Sequence, residues 1–224
     1  MNTAKGQIAE LILQNGLRYA RIMCPVNLTP SPGQYLLSSN ASFLDPLPVP
    51  LFSTESTPLG FIAAVPDHWH PGQEVSLRGP LGRGFVLPPF ARKVALIAFD
   101  DSPSRLRGLI KLALKQGAAV VLVCDTSEED SLPDEVEVQP LSALDDVVRW
   151  ADYLAFDVLR ESLYGLKERL GGANQLSVKS EAQVLVRTSI PCGGIAECGV
   201  CAVATKSSWK LACKDGPVFD WNEL

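Results

Sequence analysis

The chain has no long hydrophobic run. Its longest apolar stretches, around Val94–Phe99 and Ala118–Cys124, are strand-sized and far short of the ~20 residues that span a bilayer. Positive charge is also in short supply. Twenty Lys and Arg against 25 Asp and Glu give a formal net charge of −5, which offers neither a basic stripe for nucleic acid nor a polybasic anchor for a membrane surface. The opening residues, MNTAKGQIAELILQNG, lack the charged start, apolar run and small-residue cleavage site of a secretory signal, so the cytosol is the expected compartment. Histidine is rare. The pair His68 and His70, in PDHWHPG, has no third ligand nearby in sequence and borders a Pro-Gly turn, so both are read as exposed loop residues. No internal repeat or low-complexity tract is present.

What is there is a globular balance, 46% apolar and 20% charged over 224 residues, enough to bury a proper core. Residues 1–90 read as all-β: GQIAELILQNGLRYARIMCP alternates around Asn15-Gly16, a hairpin signal, and short strands punctuated by Pro and Gly follow, which predicts a small barrel or sandwich. Residues 91–180 change texture. KVALIAF is a continuous apolar run, the mark of a strand covered on both faces, and DDSPSRLRGLIKLALKQG follows as a helix. Asp101 or Ser102 is its N-cap, Pro103 its first residue, and Leu106, Leu109, Ile110, Ala113 and Leu114 its apolar stripe. AAVVLVCD closes a strand–helix–strand unit, expected to be parallel. TSEEDSLPDEVEVQP reads as an acidic, solvated connector; LSALDDVVRWA as a helix; DYLAFD as a strand; VLRESLYGLKERLGG as a helix; AQVLVRTSI as a last strand.

Residues 181–224 hold four of the six cysteines, Cys192, Cys198, Cys201 and Cys213, among glycines. In a reducing compartment such clustering points to metal ligands or redox groups rather than a disulfide frame. Cys198-Gly-Val-Cys201 is the gap that lets two thiolates grip one metal or one cluster edge, and the small residues Gly193, Gly194, Ala196, Gly199 and Ala202 allow backbone N–H groups to turn toward sulfur. The spacing favours an iron–sulfur cluster, and the count favours its 2Fe-2S form. A zinc site, a thioredoxin-type redox pair and unligated core thiols stand as competing readings; zinc is most often held by two short knuckles, whereas only one pair here is short. Cys24 and Cys124 lie in strand patterns and are read as small buried hydrophobes.

The order of these parts, with RGPLGRGF at the end of the β region and CGG…CGVC…CKDGPVF at the tail, resembles the electron-transfer subunit of class B dihydroorotate dehydrogenase, within the ferredoxin–NADP reductase superfamily. That resemblance implies a β + α/β fold: a flavin-reductase-like barrel that binds FAD over 1–90, a small Rossmann-like domain that receives NADH over 91–180, and a 2Fe-2S segment over 181–224. It implies that Cys192, Cys198, Cys201 and Cys213 ligate the cluster, although the first gap is one residue longer than the family's four. It also implies a relay rather than a catalytic subunit, passing electrons to a dihydroorotate dehydrogenase flavoprotein in pyrimidine biosynthesis, within a heterotetramer. The superfamily's flavin signature, R-x-Y-[ST], falls on Pro50-Leu51-Phe52-Ser53, so Phe52 and Ser53 are flavin candidates while Pro50 removes the phosphate-binding cation. Gly79, Pro80, Leu81 and Gly82 are candidates for close approach to the flavin, or else form a tight interdomain turn. The glycine-rich nicotinamide turn is replaced by Phe99-Asp100-Asp101-Ser102-Pro103, with carboxylates where phosphates would arrive, and the later Cys-Gly-Pro-type turn by Phe156-Asp157-Val158, so tight NADH binding is not expected. Trp69, Trp209 and Trp221 are candidates to cover partner surface near the cluster. The alternatives in function are a zinc-stabilised, non-catalytic assembly module and an NADH-oxidising flavin reductase.

Overall fold

Period-two alternation decides the first half of the chain. In the computed structural model, which describes residues 2–14, 16–39, 44, 46–100, 102–125, 132–171 and 180–224, six strands close into an antiparallel barrel. They are β1 (Asn2–Gln14), β2 (Leu17–Met23), β3 (Tyr35–Ser39), β4 (Val49–Thr57), β5 (Gly60–Ala64) and β6 (Glu74–Leu81), in the order β1-β2-β5-β4-β3-β6. The β1–β2 hairpin closes Gln14 on Leu17, with Gly16 at positive φ; Asn15 lies outside the described residues. Alternate residues of the strands point inward, with breaks of register at Ile8/Glu10, Tyr35/Leu37 and Ser53/Glu55, and Ile8, Ile22, Leu36, Leu51, Phe61, Val75 and Leu77 fill the interior around Trp69. Trp69 is fully buried, so it is a core residue and not a partner-covering one; its neighbours His68 and His70 are exposed. Trp69→Ala is expected to cost about 3–5 kcal/mol in chemical denaturation, as deletions of large buried rings do.

The second half is a six-stranded sheet, β14-β11-β10-β7-β8-β9. Its strands are β7 (Lys93–Ala98), β8 (Ala119–Val123), β9 (Val136–Gln139), β10 (Tyr153–Leu159), β11 (Glu181–Arg187) and β14 (Val218–Asp220). All pair in parallel except β14, which runs antiparallel to β11. Helix α1 (Arg107–Lys115) packs Leu109, Ile110 and Ala113 on one face. Helices α2 (Leu144–Trp150) and α3 (Leu163–Arg169) cover the other face, against Ile97, Phe156, Val184 and Val186. Coverage on both sides is why KVALIAF carries no polar alternation. Ser102 caps the turn leading into α1, its Oγ accepting the Ser104 N–H; Asp101 lies outside the described residues.

Two boundaries differ from expectation. The acidic connector contains a strand, β9, at the sheet edge, because Val136 and Val138 alternate within it; residues 126–131 lie outside the described residues. The division expected at 180/181 runs through the sheet, since β11 and β14 both come from the C-terminal portion. Among the described residues, no helix is long and apolar enough to cross a membrane.

Candidate functional site

Where β11 ends, the chain leaves the sheet at Arg187, is pinned by the buried Ile190, and forms a loop from Cys192 to Cys201. A short hairpin, β12 (Ala202–Ala204) and β13 (Trp209–Leu211), precedes Cys213, and the chain then returns to the sheet as β14. The Ala212 N–H donates to the Cys201 carbonyl at 3.0 Å, which ties the two ends of the hairpin together and brings Cys201 beside Cys213.

The four cysteines form no disulfide and stand as two pairs, Cys192 with Cys198 and Cys201 with Cys213, each pair within hydrogen-bond reach. One backbone loop serves both. The N–H groups of Cys198, Ile195 and Glu197 turn to the Cys192 sulfur, and that of Ala196 to the Cys213 sulfur. Such convergence needs left-handed backbone, and the loop supplies it at Gly193, Gly194 and Gly199, and also at Ala196, where φ is 64° despite a side chain. Burial alone would raise the Cys192 thiol, but the hydrogen bonds from Cys198 and these N–H groups outweigh it and bring it down to about 6. At Cys213, burial and the adjoining Cys201 thiol push it up to about 12. The pocket therefore favours extra negative charge at its outer pair and resists it at the inner one, unless cations compensate. Cys201 and Cys213 are buried while Cys198 is exposed. Beside Cys198 in the loop, Ile195 and Val200 are exposed apolar residues and Glu197 is an exposed carboxylate; Trp209, 73% accessible, stands at the tip of the β12–β13 hairpin opposite Ala204. Trp221 is instead buried against Phe156, with ring centroids 5.7 Å apart, and covers no outer surface. Among the described residues, no three His, Cys, Asp or Glu side chains gather as they would around one metal ion. Of the two remaining thiols, Cys124 is buried and Cys24 half-buried.

The flavin candidates are placed differently. Phe52 is half-buried and tilts onto Tyr35, with centroids 5.6 Å apart, while Ser53 is buried with its hydroxyl 3.5 Å from that of Ser56. Gly79 and Gly82 are pressed against this chain: a Cβ at Gly79 would meet Leu36 at 2.5 Å, and one at Gly82 would meet Pro217 at 2.4 Å. Their small size is thus accounted for by internal packing, the turn reading of this segment, with Pro80 and Leu81 in the last stretch of β6. The cleft nearest the signature lies next door. It has a volume of about 540 Å³ and is lined by Pro50, Leu159, Arg187 and Thr188 among others; the Thr188 hydroxyl is buried without a hydrogen-bond partner. An orphaned buried hydroxyl in a cleft of this size is a group that a polar ligand would use.

At the carboxyl ends of β7 and β10, where a dinucleotide would enter a sheet of this order, lies a buried ion cluster. Asp157, only 1% exposed, accepts from Arg105 at 2.7 Å and from Arg187 at 2.6 Å, and Arg187 also lies 3.6 Å from Asp100. The strand β10 runs straight through Phe156-Asp157-Val158, so no turn exists there. Sequence reasoning missed this cluster, although a carboxylate inside the apolar strand YLAFDVL was a signal that buried cations must face it.

Comparison with known proteins agrees with this anatomy. Residues 191–224 match the family model of the iron–sulfur cluster binding domain of dihydroorotate dehydrogenase B. A probable dihydroorotate dehydrogenase B (NAD(+)) electron transfer subunit from Pyrococcus furiosus is 29% identical over 168 residues, 68% of this chain and 64% of the relative. The chain resembles the electron-transfer subunit of dihydroorotate dehydrogenase B. The sulfhydrogenase 1 gamma subunit of the same organism is 55% identical over 31 residues, 14% of this chain and 11% of the relative. The matched regions thus span less than two thirds of either curated relative. Among solved structures, an NADH-dependent reduced ferredoxin–NADP oxidoreductase studied for flavin-based electron bifurcation superposes with a TM-score of 0.74 at 16% identity, over 99% of this chain and 90% of that one. The fold is accordingly the barrel-plus-α/β fold seen in that oxidoreductase, with a cysteine-rich tail.

Proposed function

We propose that this chain is a cytosolic electron-transfer subunit whose Cys192, Cys198, Cys201 and Cys213 hold a 2Fe-2S cluster. The observation that carries the proposal is the pairing of the thiols. A two-iron rhomb needs two thiolates at each end, whereas a single tetrahedral zinc needs all four around one point. The N–H groups of Ile195, Ala196, Glu197 and Cys198 stabilise negative charge on sulfur, which is how a protein tunes such a site. When bound, the cluster supplies one-electron exchange. The chain's own residues exclude water from the inner pair, while the exposed Cys198, between the exposed Ile195 and Val200, leaves that edge open to a redox partner.

By likeness to the dihydroorotate dehydrogenase B relative, the proposed partner is a dihydroorotate dehydrogenase catalytic flavoprotein of pyrimidine biosynthesis, in a hetero-oligomer. FAD belongs to the proposal through the fold. Its proposed place is the cleft beside Pro50, where Thr188 brings a free hydroxyl; Arg187 also lines this cleft, but its charge is answered by Asp157 and Asp100. Phe52 and Ser53, on the same strand as Pro50, and Gly79, Pro80, Leu81 and Gly82 remain the proposed flavin contacts. Electrons are not expected to enter from NADH, because the Asp157 cluster fills the rim of the sheet.

The test is the spectrum and cofactor content of anaerobically purified protein, with and without co-expressed partner. Iron and acid-labile sulfide in equal amounts, an EPR signal on reduction by dithionite, and no bleaching by millimolar NADH are expected. A colourless protein loaded with zinc would sink the proposal.

A further inference from the structure

We infer that two residues of the barrel, Arg78 and Tyr35, position the cysteine loop and that Arg78 is the fixed cation that sets the cluster's reduction potential. This rests on the cluster reading of the site. The outer face of the barrel at β3 and β6 is turned to the tail: Leu36 and Leu77 point into the barrel, while Tyr35, Leu37 and Arg78 alternate outward. The two strands are in register there, Leu37 opposite Arg78. Arg78 Nη2 donates to the Gly193 carbonyl, the residue after the first cysteine. The Tyr35 hydroxyl donates to the Cys213 carbonyl at 3.2 Å. One strand pair therefore holds a residue of each thiol pair, Cys192 through its neighbour and Cys213 directly.

The fit leaves little slack. A Cβ on Gly194 would lie 3.2 Å from the Tyr35 hydroxyl, 3.3 Å from Leu37 and 3.8 Å from the Arg78 guanidinium. Tyr35 is fully buried, so its hydroxyl is held in place as a donor to the Cys213 carbonyl. Arg78 shares with Cys192, Gly193 and Ile195 the lining of a cavity of about 590 Å³ on the barrel side of the loop. Lys5, another cation of that lining, is paired with Glu74 and is mostly exposed. Reduction adds one negative charge to the site. A guanidinium held against the loop in a half-buried setting favours the reduced form, and its removal lowers the potential.

The experiment is an EPR-monitored redox titration of reconstituted wild-type, Arg78→Gln and Arg78→Lys proteins. At the wild-type midpoint, the ratio of reduced to oxidised cluster in R78Q is expected to fall at least threefold, about 30 mV for a one-electron couple. R78K, which keeps the charge but not the planar fork, should return most of that shift. In parallel, iron loss to a chelator is expected to be several-fold faster in R78Q and in Tyr35→Phe, each with an unchanged circular dichroism spectrum. A folded R78Q that retains no iron while R78K does also supports the inference. A wild-type midpoint in loaded R78Q overturns the role of Arg78 in the potential, and wild-type iron loss in both R78Q and Y35F overturns the positioning of the loop by these two residues. If the wild-type chain itself takes up no iron and sulfide, the cluster reading falls first and this inference with it, an outcome separate from a loaded wild type with an unshifted R78Q.

Discussion

Cys201→Ser and Cys213→Ser are each expected to give a folded chain that has lost its visible absorbance. These two thiols are buried, and the Cys201 carbonyl is already engaged by Ala212, so neither position can shift or recruit water to replace a lost ligand. Iron per chain should fall by more than about tenfold, the lower end of what outer-shell changes alone cost a metal site. Cys198→Ser should be milder, because its position is exposed and a hydroxyl or water can stand in; a partly loaded cluster with a shifted spectrum is expected. Cys24→Ser, in the barrel and away from the tail, is the control that should keep full iron content. A C201S protein with undiminished iron and sulfide would show that the inner pair is not part of any cluster.

Asp157→Ala is expected to lose about 3–5 kcal/mol of stability by urea denaturation, as much as the loss of a large buried ring. The carboxylate is 1% exposed and answers two guanidinium groups, those of Arg105 and Arg187, whose side chains are 16% and 13% exposed. Removing it leaves two cations in a dry site, with Asp100 at 3.6 Å from Arg187 as partial compensation. Asp157→Asn should fall between, since it keeps an acceptor but not the charge. Replacing all three groups together by apolar side chains of similar volume should cost far less than D157A alone, because the charges leave as a set. A D157A protein within about 1 kcal/mol of wild type would mean that the arginines rearrange to solvent and that the rim of the sheet is not locked.

Much of this could be read from residue order. Alternation in the first half and the unbroken apolar run of KVALIAF reflect local burial, which leaves a local trace. The tail's cysteine spacing likewise marks its loop, since the left-handed turns at Gly193, Gly194 and Gly199 have a residue type of their own. What was not legible depends on partners far apart in the chain. Arg78 meets Gly193 across 115 residues and Tyr35 meets Cys213 across 178, and neither has a local pattern that names its partner. β9 was hidden because its two valines sit in an acidic stretch at a sheet edge, where only one face needs covering. Gly79 and Gly82 show how little a glycine says about what approaches it: within this chain the neighbours that need their small size are Leu36 and Pro217.

Because β14 hydrogen-bonds to β11 after the tail has made its excursion, the cysteine region is sewn into its host at both hems. It is no detachable cassette. Cutting the polypeptide before residue 191 would strip the outermost strand from the sheet along with the thiols, and transplanting the region elsewhere would require a recipient that offers a bare strand edge for Val218–Asp220.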